Sequence, residues 1–224
     1  MTLTIEITSD FICPWCLVAD TRLNRAIALL ARYANAQLET PVEIERIWYP
    51  FELNPNMPEA GIDRKTYRTN KFGSWEYSQM LDAKTVQAGK EDGIEFRYDL
   101  MKVTPNTLKA HCLTWLAGKD GKATEIAFRI LRAYFTQGQN IGDVETLANL
   151  AADVGIDAQK AKAFLLSDEA IQEVKELKKQ ASAQGIHSVP TIRIGKEILV
   201  GAQRVDVLLA ALQNAVNELE FVRT

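Results

Sequence analysis

Along the first 33 residues, the spacing of the apolar positions changes from every second residue to that of a helix. Leu3, Ile5 and Ile7 alternate with polar residues up to Thr8, which is the period of a strand with one buried face. Over residues 17–33 the apolar residues recur three or four positions apart, with arginines between them. The pattern predicts a strand that leads directly into a helix.

A second strand is predicted from Pro41 to Leu53. Val42, Ile44 and Trp48 fall on one face of this stretch, which again indicates a two-residue period. Asn54–Pro55 is a turn-forming pair and ends the stretch.

A long helical block is predicted between residues 63 and 184. Several of its segments end in glycine, as helices often do. The segments with helical spacing are 63–93, 104–118, 123–138, 143–155, 157–167 and 168–185. Thr124 and Asp143 are the candidate N-cap residues of two of them.

The C-terminal part of the chain returns to strands. TIRI (191–194) and EILV (197–200) flank Gly195–Lys196, a pair typical of a two-residue hairpin turn. Residues 203–219 then have the spacing of an amphipathic helix. The pattern predicts a hairpin followed by a closing helix.

The order of these elements is strand, helix, strand, helical block, hairpin and helix. It predicts an α/β fold in which a small sheet is interrupted by a helical insertion. We expect a sheet region of residues 1–62 plus 185–224. The insertion is expected over residues 63–184, with its last helix packing back on the sheet.

Composition and charge narrow the classes of function. The chain has 224 residues, of which 47% are hydrophobic and 25% charged, and its net charge is −3. An acidic balance argues against a nucleic-acid-binding surface. No apolar run approaches the roughly 20 residues of a membrane span, and the N-terminus lacks the features of a signal peptide. We therefore expect a cytoplasmic protein that binds neither nucleic acid nor membrane.

The segment CPWC places two of only three cysteines at the predicted junction of strand and helix. In a cytoplasmic protein, paired cysteines are more often catalytic or metal-binding than structural. The N-terminus of a helix favours an anion, so the pKa of Cys13 is expected to be lowered. Cys16 lies one turn further on, Pro14 suits the first helical turn, and Trp15 places apolar surface beside the sulfur. The pattern favours a redox couple.

A zinc site is the alternative for the two cysteines. Structural zinc requires four ligands, and only His111, Cys112 and His187 remain as candidates. His111 and Cys112 are adjacent on a predicted helix and therefore diverge. We expect no metal, a core position for Cys112 and a structural role for His111.

Val189–Pro190 directly precedes the predicted strand 191–194. Proline cannot donate a hydrogen bond within a sheet, but it is tolerated at the first residue of a strand. Whether the Val189–Pro190 bond is cis cannot be deduced from the sequence.

The motifs together resemble a known family. They are DFICPWC, YPFELNP, PNTLKAH, AYFTQGQNIGD, SVPT and VGAQR, and they are spread over most of the chain. They resemble DsbA-like oxidoreductases of the thioredoxin superfamily with an inserted helical domain, and most closely the FrnE-type branch. The resemblance implies a thioredoxin-like fold and a thiol–disulfide oxidoreductase without a tightly bound cofactor, whose redox group is the Cys13–Cys16 disulfide.

The resemblance also implies roles for individual residues. Cys13 would be the nucleophile, Cys16 the resolving thiol and Pro190 a cis proline. The implied substrate-binding residues are Pro14, Trp15, His187, Ser188 and Val189. The family commonly has glycine where this chain has His187–Ser188, and His187 either stabilises the thiolate of Cys13 or faces solvent.

Two other functions stay open at this stage. Kappa-class glutathione transferases and 2-hydroxychromene-2-carboxylate isomerases resemble this layout, with a serine at the position of Cys13. In such a protein Val189, Ala202 and Gln203 would contact glutathione. The other alternative is a non-catalytic binding protein that uses its helical region as a groove.

The implied partners follow from the favoured function. They are a disulfide-containing or peptide-like substrate, with glutathione or a reductase as a further partner. A homodimer is also open.

Overall fold

The computed structural model describes residues 1–37 and 42–221, so Pro41, the predicted start of the second strand, lies outside the described residues. The elements of the sheet region are β1 (Thr2–Ser9), α1 (Pro14–Gln37), β2 (Glu43–Pro50), β5 (Thr191–Ile194), β6 (Glu197–Val200) and α9 (Val205–Phe221). Between β2 and β5 lie β3 (Ile62–Asp63), α2 (Arg64–Phe72), α3 (Trp75–Asp92), β4 (Val103–Thr104), α4 (Leu108–Gly118), α5 (Ala123–Gln137), α6 (Val144–Asp153), α7 (Ala158–Leu165) and α8 (Ile171–Ala183).

The main sheet has four strands in the order β2-β1-β5-β6. Strand β1 runs parallel to β2 and antiparallel to β5, which forms the predicted hairpin with β6. The predicted order of elements along the chain is confirmed, whereas the order of strands within the sheet was not predicted. Because Thr8 pairs with Thr191 in the register of β1 and β5, the residue before β5 lies beside the end of β1.

One face of this sheet is covered by α1 and α9. The alternating residues Leu3, Ile5 and Ile7 of β1 are buried there against Leu23 of α1 and Leu212 of α9. Burying each such side chain contributes about 1.5–3 kcal/mol. The two-residue period of the N-terminus thus fixes which face of β1 meets the helices.

The helices between β2 and β5 form a second apolar cluster, which also includes the first turn of α1. Cys13, Cys16 and Leu17 belong to this cluster together with residues of α4 and α5. Helix α8 packs against β2 and α4. In the described part of the chain, no helix is long and apolar enough to cross a membrane.

The structure departs from the predicted elements at three places. Segment 63–93 forms two helices and not one, because Gly73 adopts a φ of 89° and Ser74 caps the second helix by accepting from the Tyr77 N–H at 3.0 Å. The short pair β3–β4 was not predicted. Thr124 is not an N-cap: it lies inside α5, and its hydroxyl accepts a hydrogen bond from the Trp48 indole at 3.1 Å.

Asp20 is a buried acid on α1. Burial raises its pKa to about 6, although Arg46 and the amide of Asn24 both lower it. The Arg46 Nη1 atom is 3.8 Å from Asp20 Oδ1, and Asn24 Nδ2 donates to Oδ2 at 3.3 Å. Since the pKa is higher in the folded than in the unfolded chain, Asp20 favours folding below the unfolded value and progressively less as the pH rises.

We predict that Asp20→Asn removes this pH dependence. The unfolding free energy of the variant, measured relative to that of the natural chain, should rise by up to about 3 kcal/mol as the pH increases from about 4 to about 7. The reason is that the natural chain must ionise a buried carboxyl over that range. Urea unfolding followed by tryptophan fluorescence measures this difference. Asp120→Asn, at an exposed turn position, is the matched control and should keep the natural pH dependence. An Asp20→Asn difference that stays constant with pH would contradict the assignment.

Candidate active site

The CPWC segment lies where β1 hands over to α1. The Cys13 N–H donates to the Asp10 carbonyl at 3.1 Å and the Cys16 N–H to the Cys13 carbonyl at 3.0 Å, so the loop closes directly into the helix. Pro14 is the first residue of α1, where its missing N–H has no partner to lose. Both cysteines are thiols, and they are only 6% and 2% exposed. The predicted position of the pair at a strand–helix junction is confirmed.

The two sulfurs have opposite pKa shifts. The pKa of Cys13 is lowered mainly by the hydrogen bond from the Cys16 thiol, against the effect of burial, and backbone N–H groups of Cys16 and Trp15 assist. Burial raises the pKa of Cys16 well above its ordinary value, and its hydrogen bond to Cys13 adds to the shift. Cys13 is therefore the sulfur that ionises first, and Cys16 keeps its proton.

Cys112 behaves differently from the active-site pair. It is buried in α4, and burial raises its pKa to about 12. A thiol with such a pKa is almost entirely protonated at neutral pH and is a poor nucleophile. This supports the prediction that Cys112 is a core residue.

The segment before β5 faces Cys13. The Val189–Pro190 peptide bond is cis, and the Cys13 thiol lies 3.7 Å from the Val189 carbonyl oxygen. The Ser188 carbonyl accepts a hydrogen bond from the Thr191 hydroxyl at 2.8 Å, which closes this turn. The pairing of β1 with β5 thus brings residues 176 positions apart in sequence to one site.

The other predicted substrate-binding residues differ in their exposure to solvent. Trp15 is 37% exposed, and His187 and Ser188 are exposed to solvent. The structure therefore places His187 in the solvent-facing arrangement. Gln203 donates from its side chain to the Val200 carbonyl at 2.6 Å, at the end of the hairpin.

A buried Asp10–His111 pair underlies the active-site loop and was missed by sequence reasoning. The Asp10 carboxylate accepts from the Leu53 N–H at 2.7 Å and lies 3.7 Å from His111 Nε2. The same ring nitrogen is 2.9 Å from the Phe51 carbonyl oxygen, and the ring packs on Phe11 at 4.7 Å between centroids. The pair ties the active-site loop to the chain that leaves β2 and to α4. The nearby negative charge of Asp10 also raises the pKa of Cys13, which partly opposes the lowering.

A cavity of about 270 Å³ opens beside Cys13. Cys13, Pro14 and Trp15 line it on one side, and Arg64 and Arg68 of α2 line it on the other. Neither arginine was among the predicted site residues. Their spacing of four residues on one helix was the available signal, but nothing in the sequence says what that face meets. A larger cavity, of about 1080 Å³, lies along β2 and has no cysteine in its described lining.

The described residues offer no ready metal site. Within residues 1–37 and 42–221, no three histidine, cysteine or acidic side chains lie close enough together to hold a metal ion.

Comparison with known proteins identifies the family. Residues 4–213 match the DSBA-like thioredoxin domain. The chain belongs to the DsbA-like thioredoxin family, and the fold is the predicted thioredoxin-like α/β fold with a helical insertion. By family and structure it is a DsbA-like thioredoxin-family oxidoreductase with a Cys13–Cys16 pair.

Individual proteins are similar to this chain over most of its length. An uncharacterised protein of Bacillus subtilis, YwbO, is 30% identical over 216 residues, which cover 96% of this chain and 98% of YwbO. A probable DsbA oxidoreductase from Streptomyces coelicolor has 26% identity and a TM-score of 0.83, with 96% of this chain and 91% of that one covered. A 2-hydroxychromene-2-carboxylate isomerase shares the fold, with a TM-score of 0.70 at 16% identity and 98% of each chain covered.

We predict that Cys13 ionises at lower pH than an ordinary thiol and that Cys16 causes this shift. The pH dependence of iodoacetamide alkylation should give a midpoint for Cys13 below that of a small free thiol measured alongside. Cys16→Ala should raise the midpoint, because it removes the hydrogen bond to the thiolate.

Cys16→Ser is the matched control for this measurement. It keeps a hydroxyl donor, so its midpoint should lie closer to that of the natural chain. If Cys16→Ala left the midpoint unchanged, the cause given for the low pKa would be wrong.

Proposed function

We propose that the protein is a cytoplasmic thiol–disulfide oxidoreductase of the FrnE-type branch. The observation that supports this best is the opposite pKa shift of two neighbouring sulfurs, with the more acidic one facing the Val189 carbonyl. The spread of FrnE-type motifs over most of the chain supports the branch. The natural substrate is a protein or small-molecule disulfide.

The reaction consists of two thiol–disulfide exchanges. The Cys13 thiolate attacks one sulfur of the substrate, forms a mixed disulfide and releases the other sulfur as a thiolate, which takes up a proton. Cys16 then loses its proton and attacks the Cys13 sulfur, which releases the second half of the substrate as a thiol. Two electrons pass from the Cys13–Cys16 pair to the substrate, and the enzyme ends as a disulfide.

The raised pKa of Cys16 determines the order in which the two cysteines react. While Cys13 is a thiolate, Cys16 serves as a hydrogen-bond donor and is not a competing nucleophile. Once Cys13 is bound in a mixed disulfide, its negative charge is gone, and with it the hydrogen bond and the charge repulsion that add to the effect of burial on the pKa of Cys16. The resolving thiol therefore ionises more readily after the first step than before it.

The direction of exchange follows from the compartment. A reducing cytoplasm keeps the pair as a dithiol, which favours reduction of substrates. No cofactor is required beyond the two sulfurs. Glutathione, with Val189, Ala202 and Gln203 as its proposed contacts, or a reductase would return the disulfide to the dithiol.

The glutathione-dependent isomerase and the non-catalytic binding protein are weaker candidates. The isomerase-type enzymes that this layout resembles have a serine at the position of Cys13, whereas this chain has a cysteine with a resolving partner. Pro14, Trp15, Ser188 and His187 surround the sulfurs in the proposed scheme as substrate contacts, with Pro190 as the family's cis proline.

We predict that Cys16→Ser accumulates a mixed disulfide and that Cys13→Ser forms none. Reduced variants are incubated with a disulfide substrate such as oxidised glutathione and then analysed by intact mass. Cys16→Ser should gain one substrate half at Cys13, because the resolving thiol is missing. Cys13→Ser should lose turnover to the uncatalysed rate, because its nucleophile is gone.

Cys112→Ala is the control for nonspecific thiol reactivity and should behave as the natural chain. A Cys13→Ser variant that kept its activity would overturn the proposal and favour an isomerase or binding function.

A further inference from the structure

The cavity beside Cys13 has one strongly basic wall. Arg64, Arg68 and Lys71 stand at positions i, i+4 and i+7 of α2, so they share one face of the helix, and all three line the cavity. We call these three residues the basic wall. Cys13, directly before α1, and Trp15, in α1, line the same cavity. A ligand held by the basic wall is therefore within reach of the nucleophilic sulfur.

Within this wall, one carboxylate serves two guanidinium groups. Arg64 Nη2 and Arg68 Nη2 donate to separate oxygens of Asp82, at 2.6 and 2.8 Å. Two positive charges meet one negative charge, although the Arg64 side chain is only 5% exposed. A partly buried charge without a full counter-charge is unfavourable, so the cluster gains from binding an anion.

Lys71 adds to the surplus of positive charge. Its ammonium donates to the Tyr67 hydroxyl at 2.7 Å and to Asn54 Oδ1 at 3.2 Å, and both groups are neutral. Within the part of the chain that the structure describes, no carboxylate forms an ion pair with it. Lys84 also lines the cavity, so its described lining has four cations and the single carboxylate of Asp82. The whole chain has a net charge of −3, so this surplus is local.

The cavity is small, and aromatic residues also line it. Tyr98, Tyr134 and Phe135 line it, and burial raises the pKa of both tyrosines, so they stay uncharged and leave the cations unbalanced. The Tyr98 hydroxyl is already hydrogen-bonded to Thr85 Oγ1 at 2.6 Å. A volume of about 270 Å³ is at the low end of pockets for small molecules and is too small for a polypeptide segment.

We propose that this cavity selects small disulfides that carry a carboxylate next to a flat, unsaturated group. The basic wall binds the carboxylate, the aromatic residues pack on the flat group, and the disulfide lies at Cys13. This inference rests on the proposed oxidoreductase function and names its substrate class.

Reduction of such a substrate takes two electrons. The Cys13–Cys16 dithiol supplies two electrons, and the substrate disulfide accepts them and leaves as two carboxylate-bearing thiols. Two equivalents of a small monothiol return the enzyme to the dithiol and become one disulfide.

Two coloured reagents separate the carboxylate from the disulfide. One is 5,5′-dithiobis(2-nitrobenzoate), a disulfide of two flat aromatic rings that each carry a carboxylate. The other is 4,4′-dithiodipyridine, a neutral disulfide of two flat aromatic rings. Each releases an absorbing thiol when the reduced enzyme attacks it, so stopped-flow absorbance gives the rate. Arg68→Gln and Lys71→Gln should each slow the reaction with the carboxylate reagent about tenfold, because each removes a hydrogen bond to a charged group. The rate with the neutral reagent should stay within about twofold.

Lys65→Gln is the matched control. It removes the same charge from the same helix, but Lys65 is outside the described lining of the cavity. Its rates with both reagents should equal those of the natural chain. Urea unfolding of each variant identifies any loss caused by misfolding.

The outcomes are distinguishable. Equal slowing with both reagents would mean that the basic wall acts on the Cys13 thiolate and not on the substrate, and no slowing with either would mean that the wall binds no carboxylate. Both results overturn this inference and leave the oxidoreductase proposal intact. If the reduced natural chain reacted with neither reagent faster than a free thiol does, the proposed function itself would fail.

Discussion

Burial and the hydrogen bond from the Cys16 thiol to the Cys13 sulfur together separate the pKa values of two chemically identical groups. Cys13 directly precedes α1, Cys16 lies in its first turn, and both residues are almost fully buried. Burial raises the pKa of Cys16, and the donated hydrogen bond with the backbone N–H groups outweighs burial at Cys13. The rest of the molecule can be understood as what holds this turn in place.

Two apolar clusters meet at that turn. The sheet cluster fixes β1 and the middle of α1, whereas Cys13 and the first turn of α1, which contains Cys16, pack into the helical cluster. The Asp10–His111 pair connects the loop between β1 and α1 to α4, and the pairing of β1 with β5 brings Val189 to the sulfur. The helical insertion then supplies the basic and aromatic walls of the cavity. Nucleophile and cavity therefore come from different parts of the chain and meet at one place.

The local parts of this arrangement were predictable from the sequence. The alternation around Ile5, the CPWC turn and the hairpin at Gly195 depend on near neighbours, and all three were placed correctly. The break at Gly73 was visible as a glycine–serine pair but was outweighed by helical spacing on both sides. The contact of His111 with the active-site loop was not predictable, because it depends on how α4 packs and not on any local pattern. The basic wall was predictable only in part. The spacing of its residues along one helix is visible in the sequence, but the cavity that they line depends on how distant parts of the chain pack.

The central claim is that Cys13 and Cys16 form one reversible redox couple. The most direct test equilibrates the protein in glutathione redox buffers and follows tryptophan fluorescence, to which Trp15, beside both sulfurs, contributes. We predict a single two-electron midpoint within the range of about −270 to −120 mV known for thioredoxin-like couples. Cys13→Ser and Cys16→Ser should abolish the transition, and Cys112→Ala should preserve it. The absence of a reversible transition in the natural chain, or its persistence in Cys13→Ser, would contradict the account.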